Sequence, residues 1–252
     1  MSVRSRLDRE FSQQPGLTTT DDSILLQKSI RAAESYASTE CTLSVLSDLR
    51  ERKSYIFNGD FAKTLYINNP GSEQVIDSIW EQEILDAIHP DDVETKMLNE
   101  LLFFHHIQKT PIAMRFKKSL WQQVRMKMLN GEYASVLHRL YYIPGCDDSS
   151  VRFALCLYGP QICPMPDSAV VVNNMDGSLV RFEKSAGKDI LSRQEISVLQ
   201  MVANGKSSKD IAQRLNISVH TVSRHRQNIN AKLQVHNSLE ACKIARALGI
   251  MT

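Results

Sequence analysis

The chain has 252 residues, 42% of them hydrophobic and 23% charged, an ordinary globular composition and a length that suits two domains, each with its own core. It holds no apolar run of the roughly eighteen residues that a membrane span needs, and its charged, polar start does not read as a secretory leader. Net charge is only +2, yet ten Lys and Arg face four Asp and Glu from Lys188 onward, whereas twenty face twenty-four before it. A small basic unit joined to a mildly acidic larger one is the layout expected of a nucleic-acid binder with a second domain.

Residues 1–20 are polar and read as a loosely ordered lead-in. Asp21-Asp22-Ser23 then offers N-caps to a helix reaching about residue 38, with Ile24, Leu25, Ile30 and Ala33 for its apolar face. Ser54-Tyr55-Ile56-Phe57 followed by Asn58-Gly59-Asp60 reads as a strand and a tight turn, and Asn68-Asn69-Pro70-Gly71 breaks the chain. A short helix over 84–88 ends at Pro90, and Asp91 or Asp92 caps a longer one through about residue 107. Strands follow over 123–128, 133–142 and 151–157, with Asn130-Gly131 as a turn, and an extra hairpin pairs 169–172 with 178–182. Ser185-Ala186-Gly187-Lys188 is the linker candidate. Mixed short helices ahead of long antiparallel strands indicate an α+β domain. Cys41, Cys146, Cys156, Cys163 and Cys242 are scattered without a CxxC spacing, so reduced, mostly buried residues of a cytoplasmic protein are expected, not a disulfide framework or a zinc site.

The last sixty or so residues carry clearer punctuation. Ser192-Arg193-Gln194-Glu195 is a capping box opening a helix that Gly205 stops. Ser207 or Ser208 caps a second helix containing Ile211, Ala212 and Leu215. The turn Asn216-Ile217-Ser218 leads into a third helix running to about Leu233, with Ser218 as its N-cap. Asn237-Ser238-Leu239-Glu240 starts a fourth. Two helices joined by a short turn, the second basic and amphipathic, form a helix-turn-helix. At 100° per residue, Val222, Ile229 and Leu233 fall within about 40° of one another and mark the buried stripe. His220, Ser223, Arg224, Gln227 and Ala231 lie opposite, with no acidic residue among them, which suits a major groove. Arg224 is placed for a bidentate contact to guanine and Gln227 for adenine, with Thr221 and Lys232 nearer the phosphates. His225, beside the stripe, is expected in the core, and Arg226 is expected to pair with a carboxylate.

On these residues the segment 191–245 resembles the LuxR/FixJ-type helix-turn-helix family. The likeness is carried by Leu191, Glu195, Val198-Leu199, Gly205-Lys206-Ser207-Ser208-Lys209, Ile211-Ala212, Leu215, Ile217-Ser218, Thr221-Val222, His225, Ile229 and Lys232-Leu233. Ser223 stands where the family commonly has a lysine, so base preference does not transfer. Taken together, the helix reading and the resemblance nominate Ser218, His220, Thr221, Ser223, Arg224, Gln227, Asn228 and Lys232 as DNA-binding residues. The resemblance also implies double-stranded DNA as partner and a homodimer, for which Leu239, Cys242 and Ala245 on the fourth helix offer a small-residue surface; RNA polymerase is a further candidate partner.

Ile88-His89-Pro90-Asp91-Asp92, with glycine turns before it and a helix and long strands after it, resembles the signature of PAS domains over about residues 42–160. A PAS-like fold implies a cavity between sheet and helices that accommodates a small-molecule ligand. No cofactor is identified. His105-His106 invites a haem reading, but Phe103-Phe104 beside it points to ordinary alternation of core and surface. A phosphorylated receiver domain is disfavoured for want of its acidic cluster and lysine. No phosphate loop, HExxH or serine elbow indicates an enzyme.

The expected fold class is α+β: an N-terminal tail and helix (1–41), a PAS-like antiparallel sheet with helices and an extra hairpin (42–184) that serves sensing or dimerisation alone, and a four-helix LuxR-type helix-turn-helix domain (188–252). The expected function is a cytoplasmic, sequence-specific DNA-binding transcription regulator whose PAS-like domain receives a signal or partner. Two rivals differ in class. A sigma-factor-like subunit needs a helical polymerase-binding region that this strand-rich N-terminus lacks. A sensor or adaptor acting mainly through protein contacts is separated by a test of DNA binding.

Overall fold

The computed structural model describes residues 3–14, 23–67, 74–145, 150–161, 165–166, 168–181, 191–233, 235, 237–247 and 250–251. They fall into two units, Ser2–Arg181 and Phe182–Thr252. The linker candidate at 185–188, the expected caps Asp21 and Asp22, and the break at 68–71 lie outside the described residues. No helix among the described residues is long and apolar enough to cross a membrane.

The larger unit is built on one antiparallel sheet. Its strands are β1 (Leu43–Asp48), β2 (Lys53–Asn58), β3 (Gln74–Ile76), β4 (Lys118–Lys127), β5 (Tyr133–Pro144), β6 (Val151–Pro160), β7 (Val170–Asn173) and β8 (Leu179–Arg181). They lie in the order β3-β2-β1-β6-β5-β4-β7-β8. The central strand β1 is buried at all six positions, so it reads as a continuous apolar and small-polar run without alternation. The hairpin of β4 and β5 turns at Asn130-Gly131, where Gly131 takes φ +85°. The pairing of β7 with β8 is the extra hairpin expected near the end of this unit.

Helices cover both faces of the sheet. On one, α2 (Ser23–Thr39) sets Ala33 and Ala37 against Leu46, Phe57, Phe153, Leu155 and Leu157. Ile24, expected on that apolar face, is instead 70% exposed, because the helix buries its later turns. The opposite face carries α3 (Gln82–Ala87) and α4 (Pro90–Lys109), and a single turn, α5 (Ile112–Arg115), leads into β4. Pro90 occupies the first turn of α4, so the cap falls two residues before Asp91 and three before Asp92: His89 Nδ1 accepts from the Asp91 N–H. Asp92 is thereby freed to accept from both the backbone and the guanidinium of Arg125.

Two further differences have local causes. Residues 3–12 form a helix, α1 (Val3–Ser12), not a loose lead-in. Val3, Leu7 and Phe11 stand four apart among charged residues and form its one buried stripe, with the Phe11 ring meeting Phe104 of α4 at 5.0 Å. Asn58-Gly59-Asp60 does not close a hairpin but opens a 3-10 turn at Asp60. A Cβ on Gly59 would lie 2.2 Å from the Ala37 carbonyl oxygen, so close approach to α2 explains that glycine.

His105 and His106 are both committed to partners within this unit. His105 Nε2 bonds Glu10 at 2.6 Å and His106 Nε2 meets the Lys118 ammonium at 2.9 Å.

Candidate nucleic-acid interface

Among its described residues the smaller unit has four helices: α6 (Arg193–Ala203), α7 (Ser208–Leu215), α8 (Val219–Leu233) and α9 (Ser238–Ala247). Short-range chemistry sets each boundary. The Ser192 hydroxyl accepts from the Glu195 N–H while Glu195 Oε2 takes the Ser192 N–H at 2.7 Å, a complete capping box. Gly205, at φ +73°, ends α6 in the left-handed region. Ser207 caps α7 in a second box with Asp210. Asn216 then adopts φ +53°, and the Ile217 N–H returns to the Ala212 carbonyl at 3.0 Å. Three residues, 216–218, join α7 to α8, and Ser218 Oγ accepts from the Thr221 N–H at 3.0 Å.

Helix α8 presents two unlike faces. Val222, Ile229 and Leu233 are at most 1% exposed and pack into the unit, as their spacing predicts. His220, Ser223, Arg224, Gln227, Asn228 and Ala231 are exposed, and the helix carries no acidic residue. Among the described residues Arg224 makes no hydrogen bond or ion pair, so its guanidinium faces solvent with its donors uncommitted. Ser218 and Thr221 sit at the N-terminus of α8, with their hydroxyls 2.8 Å apart.

Lys232 is placed differently from the other nominated residues. Its ammonium donates to Glu195 Oε2 at 2.7 Å and ties the last turn of α8 to the first turn of α6. Burial opposes ionisation of the Glu195 carboxyl, but the Lys232 ammonium and the Ser192 N–H outweigh it and hold its pKa below the usual range. Among the described residues Arg226 pairs with no carboxylate. Its Nε donates to Ser238 Oγ at 3.0 Å and its Nη1 to Ser208 Oγ at 3.1 Å, which braces α8 against the first residues of α7 and α9. Sequence reasoning missed this brace because serine hydroxyls carry no charge signal. His225 is half-buried, not a full core residue, and lines a 170 Å³ cleft with Leu215 and Ile217.

Helix α9 does not present the small-residue surface expected for dimerisation. Cys242 and Ala245 are buried within the unit, with Cys242 Sγ 3.8 Å from the Leu199 carbonyl, and of the three only Leu239 faces outward. Elsewhere Cys41 is exposed and Cys156 partly buried, so burial of the cysteines is not general.

Residues 189–245 match the model of GerE, the bacterial regulatory proteins of the luxR family, and this segment is a LuxR-type helix-turn-helix domain. That family is one of transcription regulators. The chain is 44% identical over 62 residues to the response regulatory protein YgeK of Escherichia coli (strain K12), covering 25% of this chain and 42% of that one. It is 44% identical over 61 residues to the HTH-type quorum-sensing regulator RhlR of Pseudomonas aeruginosa, covering 24% and 25%. The chain thus spans less than half the length of these curated relatives. A crystal structure of a phage VqmA–DPO complex aligns over 92% of this chain and 94% of that one, at 13% identity and a TM-score of 0.32, a likeness too low to carry an argument.

Proposed function

We propose that the chain is a sequence-specific DNA-binding transcription regulator that reads the major groove with α8. One observation carries this reading: the exposed side of α8 bears uncommitted donors and acceptors and no acid, while the opposite side is locked into the unit. Arg224 and Gln227 are assigned to base edges, with His220, Ser223 and Asn228 beside them. Ser218 and Thr221 are assigned to phosphate at the helix N-terminus. Lys232, held by Glu195, is assigned to bracing the domain.

We assign the larger unit a PAS-like sensory role and place the domain boundaries at 42–184 and 188–252, with 1–41 preceding them. The sheet segment β2-β1-β6-β5-β4, with α3 and α4 between β2 and β4 in sequence, supports that assignment. The protein acts in the cytoplasm as a homodimer that places two α8 helices on one duplex, with RNA polymerase as a further partner. The experiment is a titration of the full chain with duplex selected from a random library, repeated across salt concentrations. Binding that weakens with salt and prefers the selected duplex supports the reading; binding to neither selected nor random duplex rejects it.

A further inference from the structure

The face of the sheet turned toward α3 and α4 carries charge where a core would carry hydrocarbon. Lys96 and Glu100, one turn apart on α4, are 5% and 7% exposed, and the ammonium donates to Glu100 Oε1 at 2.6 Å. A buried ion pair is no better for stability than well-packed apolar residues, so its presence calls for another explanation. From β5, His138 and Tyr142 point at the same place. Asn99 Nδ2 donates to Gln122 Oε1 at 2.8 Å, which leaves Gln122 Nε2 to donate to His138 Nδ1 at 3.0 Å. The neutral His138 ring therefore carries its proton on Nε2. That nitrogen is 3.8 Å from Glu100 Oε1, beyond hydrogen-bond reach, and among the described residues it is buried without a partner; so is the Tyr142 hydroxyl.

A 40 Å³ cavity opens here, lined by Lys96, Glu100, Tyr142 and Tyr158, with Trp80 in its wall. That is room for about three waters, or a guest of roughly four to six non-hydrogen atoms. A metal ion does not suit it, although Glu100, His138 and Cys156 lie within 4.8 Å of one another. A cation would meet the Lys96 ammonium, a proton-bearing His138 nitrogen and a Cys156 thiol that burial keeps protonated. The Lys96–Glu100 pair is balanced in charge, and burial favours the uncharged form of Glu81, the other carboxyl lining the cavity, so a guest with net charge would be buried uncompensated. Among the described residues the Tyr142 hydroxyl has no partner, and the Lys96 ammonium and Glu100 carboxylate are hydrogen-bonded to each other alone, which leaves room for an acceptor at the first two and a donor at the third.

We propose that this cavity binds a compact uncharged molecule carrying a carbonyl oxygen beside an N–H or O–H group. The carbonyl accepts from Lys96 and Tyr142, and the adjacent donor meets Glu100. This inference rests on the reading of the larger unit as the one that receives a signal.

Trp80 and Trp121 are the chain's two tryptophans, so full-length Trp121→Phe reports on the cavity through Trp80 alone. The probe is 2-pyrrolidinone at millimolar concentration, against cyclopentanone, which lacks the donor, and acetate, which is charged. The expected result is a saturable change in Trp80 emission and a raised melting temperature with 2-pyrrolidinone only. Glu100→Gln lowers its affinity at least about tenfold and Tyr142→Phe about three- to tenfold. Without probe, Tyr142→Phe keeps or raises the melting temperature, because it removes an unpartnered hydroxyl. Absence of a saturable Trp80 response overturns the proposal. So does a response unchanged in both variants, or a Tyr142→Phe protein less stable than its parent, which would mean that water already satisfies the hydroxyl. DNA affinity measured on the same sample separates the two readings: DNA binding without a Trp80 response removes this inference alone, and a Trp80 response without DNA binding removes the regulator reading alone.

Discussion

Lys232 donates to Glu195 at 2.7 Å, and the same carboxylate oxygen receives the Ser192 N–H that opens α6. One buried acid thus holds the first turn of one helix and the last turn of another, which makes its two partners unequal. Glu195→Ala removes half a capping box and orphans the Ser192 N–H, and is expected to cost about 1–2 kcal/mol of stability. Lys232→Met, at a side chain 45% exposed, is expected to cost only about 0.2–1 kcal/mol. Denaturant melts of the two variants check the order. Because the Glu195 pKa is lowered in the folded state, its contribution is present above the unfolded value near ~4.3 and is lost as pH falls through the folded one.

The same pair bears on DNA. A free lysine at the interface adds about −0.9 to the slope of log affinity against log salt. With its ammonium held by Glu195, Lys232→Met is expected to leave that slope unchanged. A slope flattened by about one unit would return Lys232 to the phosphate contacts.

Arg224→Ala is expected to weaken specific binding by ~1–3 kcal/mol and to relax preference at one base pair. Stability should stay within about 0.5 kcal/mol, since the side chain is exposed and bonds to none of the described residues. Competition titrations against duplexes altered at single positions read both effects.

Arg226→Leu makes the opposite forecast. It removes the donors to Ser208 and Ser238, so unfolding becomes easier by about 1–3 kcal/mol and binding weakens for all duplexes alike. A change in sequence preference at constant stability would show that Arg226 contacts bases.

The larger unit carries a pH signature. Burial, helped by Lys96 and Arg139, pushes the His138 pKa well below its ordinary value, so the folded ring stays neutral while the unfolded one protonates. Its contribution to stability is complete above about pH 6.5 and is lost as pH falls from there toward the folded value, at up to about 1.4 kcal/mol per pH unit. His106, lowered by burial and Lys118, adds in the same direction. Urea melts between those pH values should show a shallower decline for His138→Gln than for the parent chain.

How much was legible in sequence follows from the range of each interaction. The smaller unit was readable because its determinants are local: Ser192 with Glu195, Ser207 with Asp210 and Ser218 with Thr221 each lie three residues apart. The long β4–β5 hairpin was readable from its Asn130-Gly131 turn. The entry of α4 lies two residues ahead of the nearer expected cap, Asp91, because Pro90 in the first turn places the cap at His89. The helix over residues 3–12 escaped notice because three apolar side chains in a charged stretch form a stripe only once Phe104 gives them a surface. Lys96, Glu100, Gln122 and His138 are unremarkable apart in the chain. Only the pairing of β4 with β5 over α4 brings them together.

The central claim is that α8 reads DNA. Its most direct test measures the affinity of the full-length chain for a selected duplex and for a random one across salt concentrations, with Arg224→Ala alongside. The account predicts affinity falling linearly with log salt for both duplexes, a clear preference for the selected one, and loss of much of that preference in Arg224→Ala. Affinity independent of salt and sequence, or a preference that Arg224→Ala leaves intact, would contradict it.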